Sequence, residues 1–258
     1  WAISTDSLIE SVHFLETDAP GKVAHKCVAV NFSDMAAMGC RPRFFLLNLH
    51  VPARVDSRWL EDFKTRLYED LREHGVSLIG GDTCSAGDRR LSLVGTVLGQ
   101  PFAGDPVLRS GAKCGDTIVV TGAGLGGSYP QRHLDFSPRL AWSEWLCRHL
   151  GPSAMMDISD GLLQDLGHIL KQSGVGAELD LWRVPIHPEV SGEDRLERAL
   201  RDGEDFELLF TCRQKAIPAL AACPFPLHSI GTIVEQREGC RGRKTPSAAF
   251  EILHTSGW

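Results

Sequence analysis

From Lys22 to Met38 the chain carries neither glycine nor proline, with Pro20 just before this stretch and Gly39 just after it. Proline suits the first turn of a helix and glycine suits the position that ends one, so the punctuation predicts one long helix. On that helix Cys27, Asn31, Asp34 and Met38 share a face. A carboxylate on such a face needs a partner. Desolvating it alone costs on the order of several kcal/mol or forces protonation, and a bound cation removes that penalty. The helix is therefore expected to bring charge chemistry into the fold as well as apolar surface.

A second helix is predicted from Ser57 to His74, with Leu60, Phe63, Leu67 and Leu71 on one face and Gly75 as its stop. Strands are predicted at Phe44–Val51, Val76–Ile79 and Leu91–Leu98, the second running into Gly80-Gly81-Asp82. The turn-rich passage from Arg109 to Asp116 lacks apolar periodicity and marks a boundary, so the expected domains are 1–108 and 109–258. Downstream, the pattern predicts strands at Thr117–Thr121, Ala177–Leu181, Phe206–Cys212, Leu227–Ile233 and Phe250–Leu253, and helices at Asp160–Ser173 and Asp194–Arg201. The fold class read from this order is mixed α/β in two domains.

With 27 Lys+Arg against 33 Asp+Glu the net charge is −6, which lacks the basic excess that nucleic acid or an anionic membrane draws on. No apolar run reaches the ~20 residues needed to cross a bilayer. The eight cysteines form no Cys-x-x-Cys pair and are irregularly spaced, which reads as reduced thiols and a cytoplasmic setting. Trp1-Ala-Ile reads as the second half of a strand, so an upstream segment is expected.

Gly122-Ala-Gly124-Leu-Gly-Gly127 follows a strand and fits the dinucleotide fingerprint Gly-x-Gly-x-x-Gly. The fit fails on context, because Pro130 lies where the early turns of a fingerprint helix would be. A glycine-rich turn is the better reading. This turn and Gly239–Gly242 are the candidate mobile loops.

A stronger pattern recurs: small or hydroxyl residues introduce an aspartate near a strand end or helix start. It occurs at Ser4-Thr5-Asp6, Ser33-Asp34, Gly80-Gly81-Asp82 and Asp157-Ile-Ser159-Asp160, with Gly203-Glu204-Asp205-Phe-Glu207 as a richer relative. Singly these are ordinary caps and turns. Converging, they would repel one another and any phosphate unless cations sat among them. Oxygen donors without His or Cys select Mg²⁺ over zinc, and the hydroxyls and glycine amides suit phosphate oxygens. No P-loop, kinase catalytic loop, zincin motif or nucleophile elbow is present in the sequence.

In order along the chain, Ser4-Thr-Asp-Ser-Leu-Ile-Glu-Ser-Val-His13-Phe, Asn31-Phe-Ser-Asp-Met-Ala-Ala-Met-Gly39, Leu78-Ile-Gly-Gly-Asp-Thr83, Arg109-Ser-Gly-Ala, Met156-Asp-Ile-Ser-Asp-Gly-Leu162 and Gly203-Glu-Asp-Phe-Glu-Leu208 resemble the thiamine-monophosphate kinase family. A terminal Ser256-Gly-Trp258 adds to the likeness, which spans essentially the whole chain. The resemblance implies an aminoimidazole-ribonucleotide-synthetase-like fold whose N-terminal domain pairs in a homodimer, and ATP-dependent phosphorylation of thiamine monophosphate to thiamine diphosphate. It implies that Thr5, Asp6, Asp34, Asp82 and Asp157 ligate Mg²⁺, that Ser4 joins them and that Asp160 holds a further metal. Gly81, Asp82, Arg109 and Ser159 match ATP-contacting positions, and His13, Glu204 and Trp258 match substrate-contacting ones. Turnover is expected to depend most on Asp34, Asp82 and Arg109.

Two departures from the family stand out. The Gly-Asp-Asp segment that precedes the Ser-Thr-Asp strand in the family is not in this sequence, and the passage after Gly127 is shorter, reaching His133 within a few residues. Two alternatives stay open at this level. One is a sister ATP-dependent enzyme of selenophosphate synthetase or purine cyclo-ligase type, and the other is a nucleotide-binding protein without turnover.

Overall fold

The computed structural model describes residues 1–130 and 132–255. Among them the first half holds β1 (Ala2–Ile9), α1 (Pro20–Ala37), β2 (Cys40–Pro52), α2 (Ser57–Glu73), β3 (Ser77–Gly87) and β4 (Ser92–Pro101). The second half holds β5 (Thr117–Thr121), α3 (Leu140–His149), β6 (Ala154–Asp157), α4 (Leu162–Ser173), β7 (Val175–Asp180), α5 (Arg195–Arg201), β8 (Leu208–Cys212), α6 (Ile217–Leu220), β9 (Leu227–Glu235), β10 (Cys240–Arg243) and β11 (Glu251–Ile252).

The first four strands form one sheet in the order β1-β4-β2-β3, antiparallel except for the parallel β2–β3 pair. Strand β1 alternates as its sequence dictates, with Ala2, Ser4, Asp6 and Leu8 turned toward the protein and Ile3, Thr5 and Ser7 toward the outside. The remaining strands form a mixed sheet ordered β11-β10-β7-β9-β5-β8-β6. Strands β5, β6 and β8 are buried throughout. Their alternate residues supply two cores: Val119, Met155, Phe210 and Cys212 pack toward α1, while Ile118, Val120, Met156 and Leu209 pack with Leu166 and Ile169 of α4.

Helix α1 lies between the two sheets. Its apolar side chains Val28, Phe32, Met35 and Ala36 join a core that includes Phe45 and Leu93 of the first sheet and Met155 and Phe210 of the second. With both sides covered, Lys26, Ser33 and Asp34 find partners inside the protein. Helix α2 is amphipathic instead, and buries Phe63, Leu67 and Leu71 while Asp56 caps its start by accepting from Trp59 N–H at 2.8 Å.

Several sequence expectations are corrected. Helix α4 begins at Leu162 rather than Asp160, because Gly161 has φ +109 and breaks the helix there. The passage Gly239–Gly242, expected to be a loop, contains β10, which pairs with β7 through Cys240–Arg243. One glycine and two arginines in its four residues hid a strand from a propensity reading. Helix α3 was missed because it is short and buries only Leu140, Ser143 and Leu146. The Gly122–Gly127 turn is pinned rather than mobile, with Leu125 N–H donating to Pro185 O at 2.9 Å and His187 N–H to Leu125 O at 3.0 Å.

Where α1 meets α2, Asp70 accepts from His25 Nδ1 at 3.0 Å and from Arg66 Nε at 2.8 Å. The hydrogen bond to Asp70 raises the His25 imidazole above its ordinary value despite partial burial. Burial alone would lift Asp70, but the bonds from His25 and Arg66 hold it below the usual carboxylate range. The protonated imidazole therefore stabilises the folded state fully below pH 6.5, and that contribution is lost as pH rises through the folded-state value. In a pH series of melting temperatures, stability is expected to decline from about pH 6.5 upward in the wild type and to decline less in His25→Gln. Identical declines in the two proteins would remove the pair from this role.

Candidate functional site

Helix α1 presents neighbouring residues Ser33 and Asp34 to the two sheets. Ser33 Oγ donates to Asp157 Oδ2 at 2.5 Å, reaching β6 of the second sheet, while Asp34 accepts a hydrogen bond from Ser4 of β1 in the first. The Asp6 carboxyl lies close enough to Asp34 for the Asp34 charge to disfavour its ionisation. Three sequence motifs far apart in the chain thus converge on one helical turn. Burial, then the charges of Asp34 and Asp157, push Asp6 up to about 7, and burial followed by the Asp34 charge does the same to Asp157. Buried carboxylates this close resist simultaneous ionisation without a positive neighbour.

Arg109 supplies positive charge from the side, and its field works against the rise at Asp157. Beside these groups opens a cleft of about 420 Å³, lined by Ser4, Asp34, Met38, Val107, Arg109 and Met155, in part. Its walls are largely apolar, and the polar groups among them are Asp34, Arg109, Ser4, Ser110 and Gln172. The acidic turn at 157–160 is held from within by Asp165, whose Oδ2 accepts from the backbone N–H of Ser159 and of Asp160, each at 3.0 Å. Asp160 is exposed and accepts from Gln164 at 3.3 Å, so it does not cap α4.

Among the described residues no set of three or more His, Cys, Asp or Glu side chains is arranged as a cage for one ion. Paired carboxylates with hydroxyls alongside nevertheless fit Mg²⁺, which keeps several waters and takes one or two carboxylates plus phosphate oxygens rather than a closed protein cage. Asp6, Asp34 and Asp157, with Ser4, are the residues that would hold it.

Two expected members lie apart. Cross-strand rows run Asp6–Gly95–Leu47–Gly81 and Ser7–Val94–Asn48–Asp82. Gly81 and Asp82 are therefore three strand spacings from β1, ~14 Å away, and Asp82 falls on the opposite face of the sheet from Asp6. The Thr5 side chain also points outward, with Oγ1 donating to Gly95 O at 2.9 Å, so only its main chain can reach the acidic cluster. Gly81 has φ +147, and a Cβ there would lie 1.9 Å from Leu47 O, so β3 can approach β2 only with glycine at this position.

A second polar cluster joins His13 and Glu204 through residues that the sequence reading did not single out. Lys26 of α1, fully buried, donates to His13 O at 2.8 Å and to the Glu204 carboxylate at 2.8 and 2.9 Å, and lies 2.9 Å from His133 Nδ1. Burial lowers the Lys26 ammonium, with Glu204 opposing. The Glu204 loop is sewn to the acidic turn, with Glu204 N–H donating to Ser159 O and Phe206 N–H to Ile158 O, both at 2.8 Å. Trp258 lies outside the described residues.

The glycine-rich turn is already occupied by the protein's own acids. Gly126 N–H donates to Asp205 at 2.7 Å and Gly127 N–H to Asp202 at 2.9 Å, which leaves those amides closed to a dinucleotide phosphate.

Residues 1–100 match the family model for AIR synthase related protein, N-terminal domain. Over 92% of its length the chain is 40% identical to the thiamine-monophosphate kinase of Escherichia coli, in an alignment of 266 residues that covers 80% of that protein. It is 34% identical to the thiamine-monophosphate kinase of Bacillus subtilis over 288 residues, covering 99% of this chain and 86% of that one. The solved structure of AaThiL complexed with AMPPCP and TMP is similar at a TM-score of 0.82 and 27% identity, covering 96% of this chain and 85% of that chain. The chain belongs to the thiamine-monophosphate kinase family.

Gly81→Ala is expected to lose about 1–3 kcal/mol, through the forced displacement of β3 from β2 and the strained φ. Thermal denaturation reads this as a melting temperature lower by several degrees. An unchanged melting curve would mean that the edge strand relaxes freely.

Proposed function

We propose that this chain transfers the γ-phosphoryl group of ATP to thiamine monophosphate, giving thiamine diphosphate and ADP. The observation that carries the reading is the meeting of Asp6, Asp34 and Asp157 beside Arg109 at an open cleft, in a member of this kinase family. An acceptor phosphate oxygen attacks the γ-phosphorus, the new P–O bond forms, and the bond to the ADP oxygen breaks. The acceptor is already ionised near neutral pH, so little general-base work is required, and positioning with charge compensation supplies the rate.

In this reading the apolar walls at Met38, Val107 and Met155 take the nucleotide, and the Arg109 guanidinium forks onto phosphate oxygens. Ser4, Asp6, Asp34 and Asp157 would hold Mg²⁺, and the exposed Asp160 would take a further ion. Held there, Mg²⁺ would supply charge neutralisation and alignment of the phosphoryl oxygens. The Ser159 hydroxyl and the Gly81 and Asp82 segment contact ATP. His13 and Glu204 contact the thiamine moiety, and Trp258 supplies a flat ring for its cationic heterocycle.

Asp82 contributes from a second copy. Within one chain it sits ~14 Å from Asp6 and faces away from it, so it completes a site only across a dimer. The outward face of the first sheet, with Ile3 66% exposed beside the outward Thr5 and Thr96, is the pairing surface. The split at 108/109 separates this pairing domain from the C-terminal one.

Incubation with ATP, Mg²⁺ and thiamine monophosphate is expected to yield thiamine diphosphate and ADP in equal amounts. Binding of both ligands without product would instead support a role without turnover. Asp34→Asn is expected to reduce kcat by about a hundredfold or more while leaving the oligomer intact; unchanged turnover would take Asp34 out of the reaction. Asp34→Asn and Asp82→Asn, each inactive alone, are expected to recover about a quarter of wild-type activity when unfolded and refolded together, since half of the random dimers then carry one intact site. No recovery above the separate variants would place both residues in the same chain's site.

A further inference from the structure

Lys26 is 0% exposed, yet its ammonium sits among groups belonging to both halves of the protein. An ammonium has three hydrogens to donate. Here Nζ lies 2.8 Å from the main-chain oxygen of His13, 2.8 and 2.9 Å from the Glu204 carboxylate oxygens, and 2.9 Å from His133 Nδ1, which is itself 3.0 Å from Glu204 Oε2. Burying a lone charge is costly, so each of these partners is also held by the lysine: moving one leaves the ammonium short of a partner.

The groups so held look outward. Glu204 has φ +66, a backbone region that residues other than glycine seldom occupy, and its side chain keeps 23% of its surface exposed. Ile9 N–H donates to His13 Nδ1 at 3.0 Å, which places the imidazole proton on Nε2, the outer nitrogen. The His133 ring lies under Tyr129 at 4.7 Å between centroids, and Tyr129 is 50% exposed. An acceptor, a donor and an aromatic edge therefore surround a lysine that no ligand can reach.

We propose that Lys26 is a positioning residue for the phosphoryl acceptor, latching Glu204 and the His13 loop into the arrangement that receives it. The inference rests on the kinase reaction for what the acceptor is, and on the buried contacts of Lys26 for how its site is built. Acting behind the site, Lys26 governs acceptor affinity and leaves the nucleotide cleft, lined by Arg109 and Met155, untouched.

The test compares steady-state kinetics of wild-type protein and Lys26→Met, with thiamine monophosphate and ATP varied separately. The KM for thiamine monophosphate is expected to rise about tenfold or more while the KM for ATP stays within about twofold. A merely structural role would move both constants together or neither, and either result overturns the latch. If Lys26→Met does not fold, Lys26→Arg carries the same test. It keeps the charge, but its larger planar head displaces Glu204, so the acceptor KM alone is again expected to rise. An unchanged acceptor KM in that variant overturns the proposal. Wild-type protein that forms no thiamine diphosphate overturns the reaction itself, a result distinct from active protein whose acceptor KM ignores Lys26.

Discussion

The structure depends on the burial of a polar helix between two sheets. Past Lys22, which stays exposed, helix α1 buries most of its hydrophilic residues, and most of their polar atoms are answered by groups from the surrounding elements, while Asn31 Oδ1 is left without a partner. Ser33 is answered by Asp157, Asp34 by Ser4, Lys26 by Glu204 and the His13 carbonyl, and the Ala36 carbonyl accepts from Ser143 at 2.6 Å. These bonds are specific where apolar packing is tolerant, and they fix how the two halves meet. The same bonds assemble the chemistry. Acids collect at one end of the helix and the Lys26 cluster forms toward the other.

Much of this arrangement was legible in the sequence. Pro20 and Gly39 delimited α1, Gly75 ended α2, and the β-branched run Thr117–Thr121 gave β5 its bounds, because each signal is local. Asp34 was legible for a different reason: a carboxylate on a largely apolar helical face demands a partner. Lys26 was not, since a lysine on a helix ordinarily lies at the surface. Only the tertiary fold shows that its side chain ends inside the protein. Nor could spacing reveal that Asp82 stands across the first sheet from Asp6.

The glycine-rich turn at Gly122–Gly127 illustrates the limits of a motif. Its spacing matches a phosphate-binding fingerprint, and its amides do bind anions. The anions are the carboxylates of Asp205 and Asp202, brought by the loop that also carries Glu204. Burial pushes Asp205 up to about 7 even while Gly126 N–H opposes the rise. The turn thereby anchors the acidic loop from one side, while the backbone bonds to Ser159 and Ile158 hold it from the other.

Lys26 and Ser33 are seven residues apart, two turns of one helix, and both reach the second half of the protein from the same side. Their separation along the axis is therefore a multiple of the helical rise, ~10 Å. The helix serves as a gauge block, setting the span between the two clusters by backbone pitch rather than by any side chain. One inserted residue between them would swing one end about 100° around the axis relative to the other. Length variation inside this segment is thus closed to the fold, however freely its surface loops lengthen or shrink.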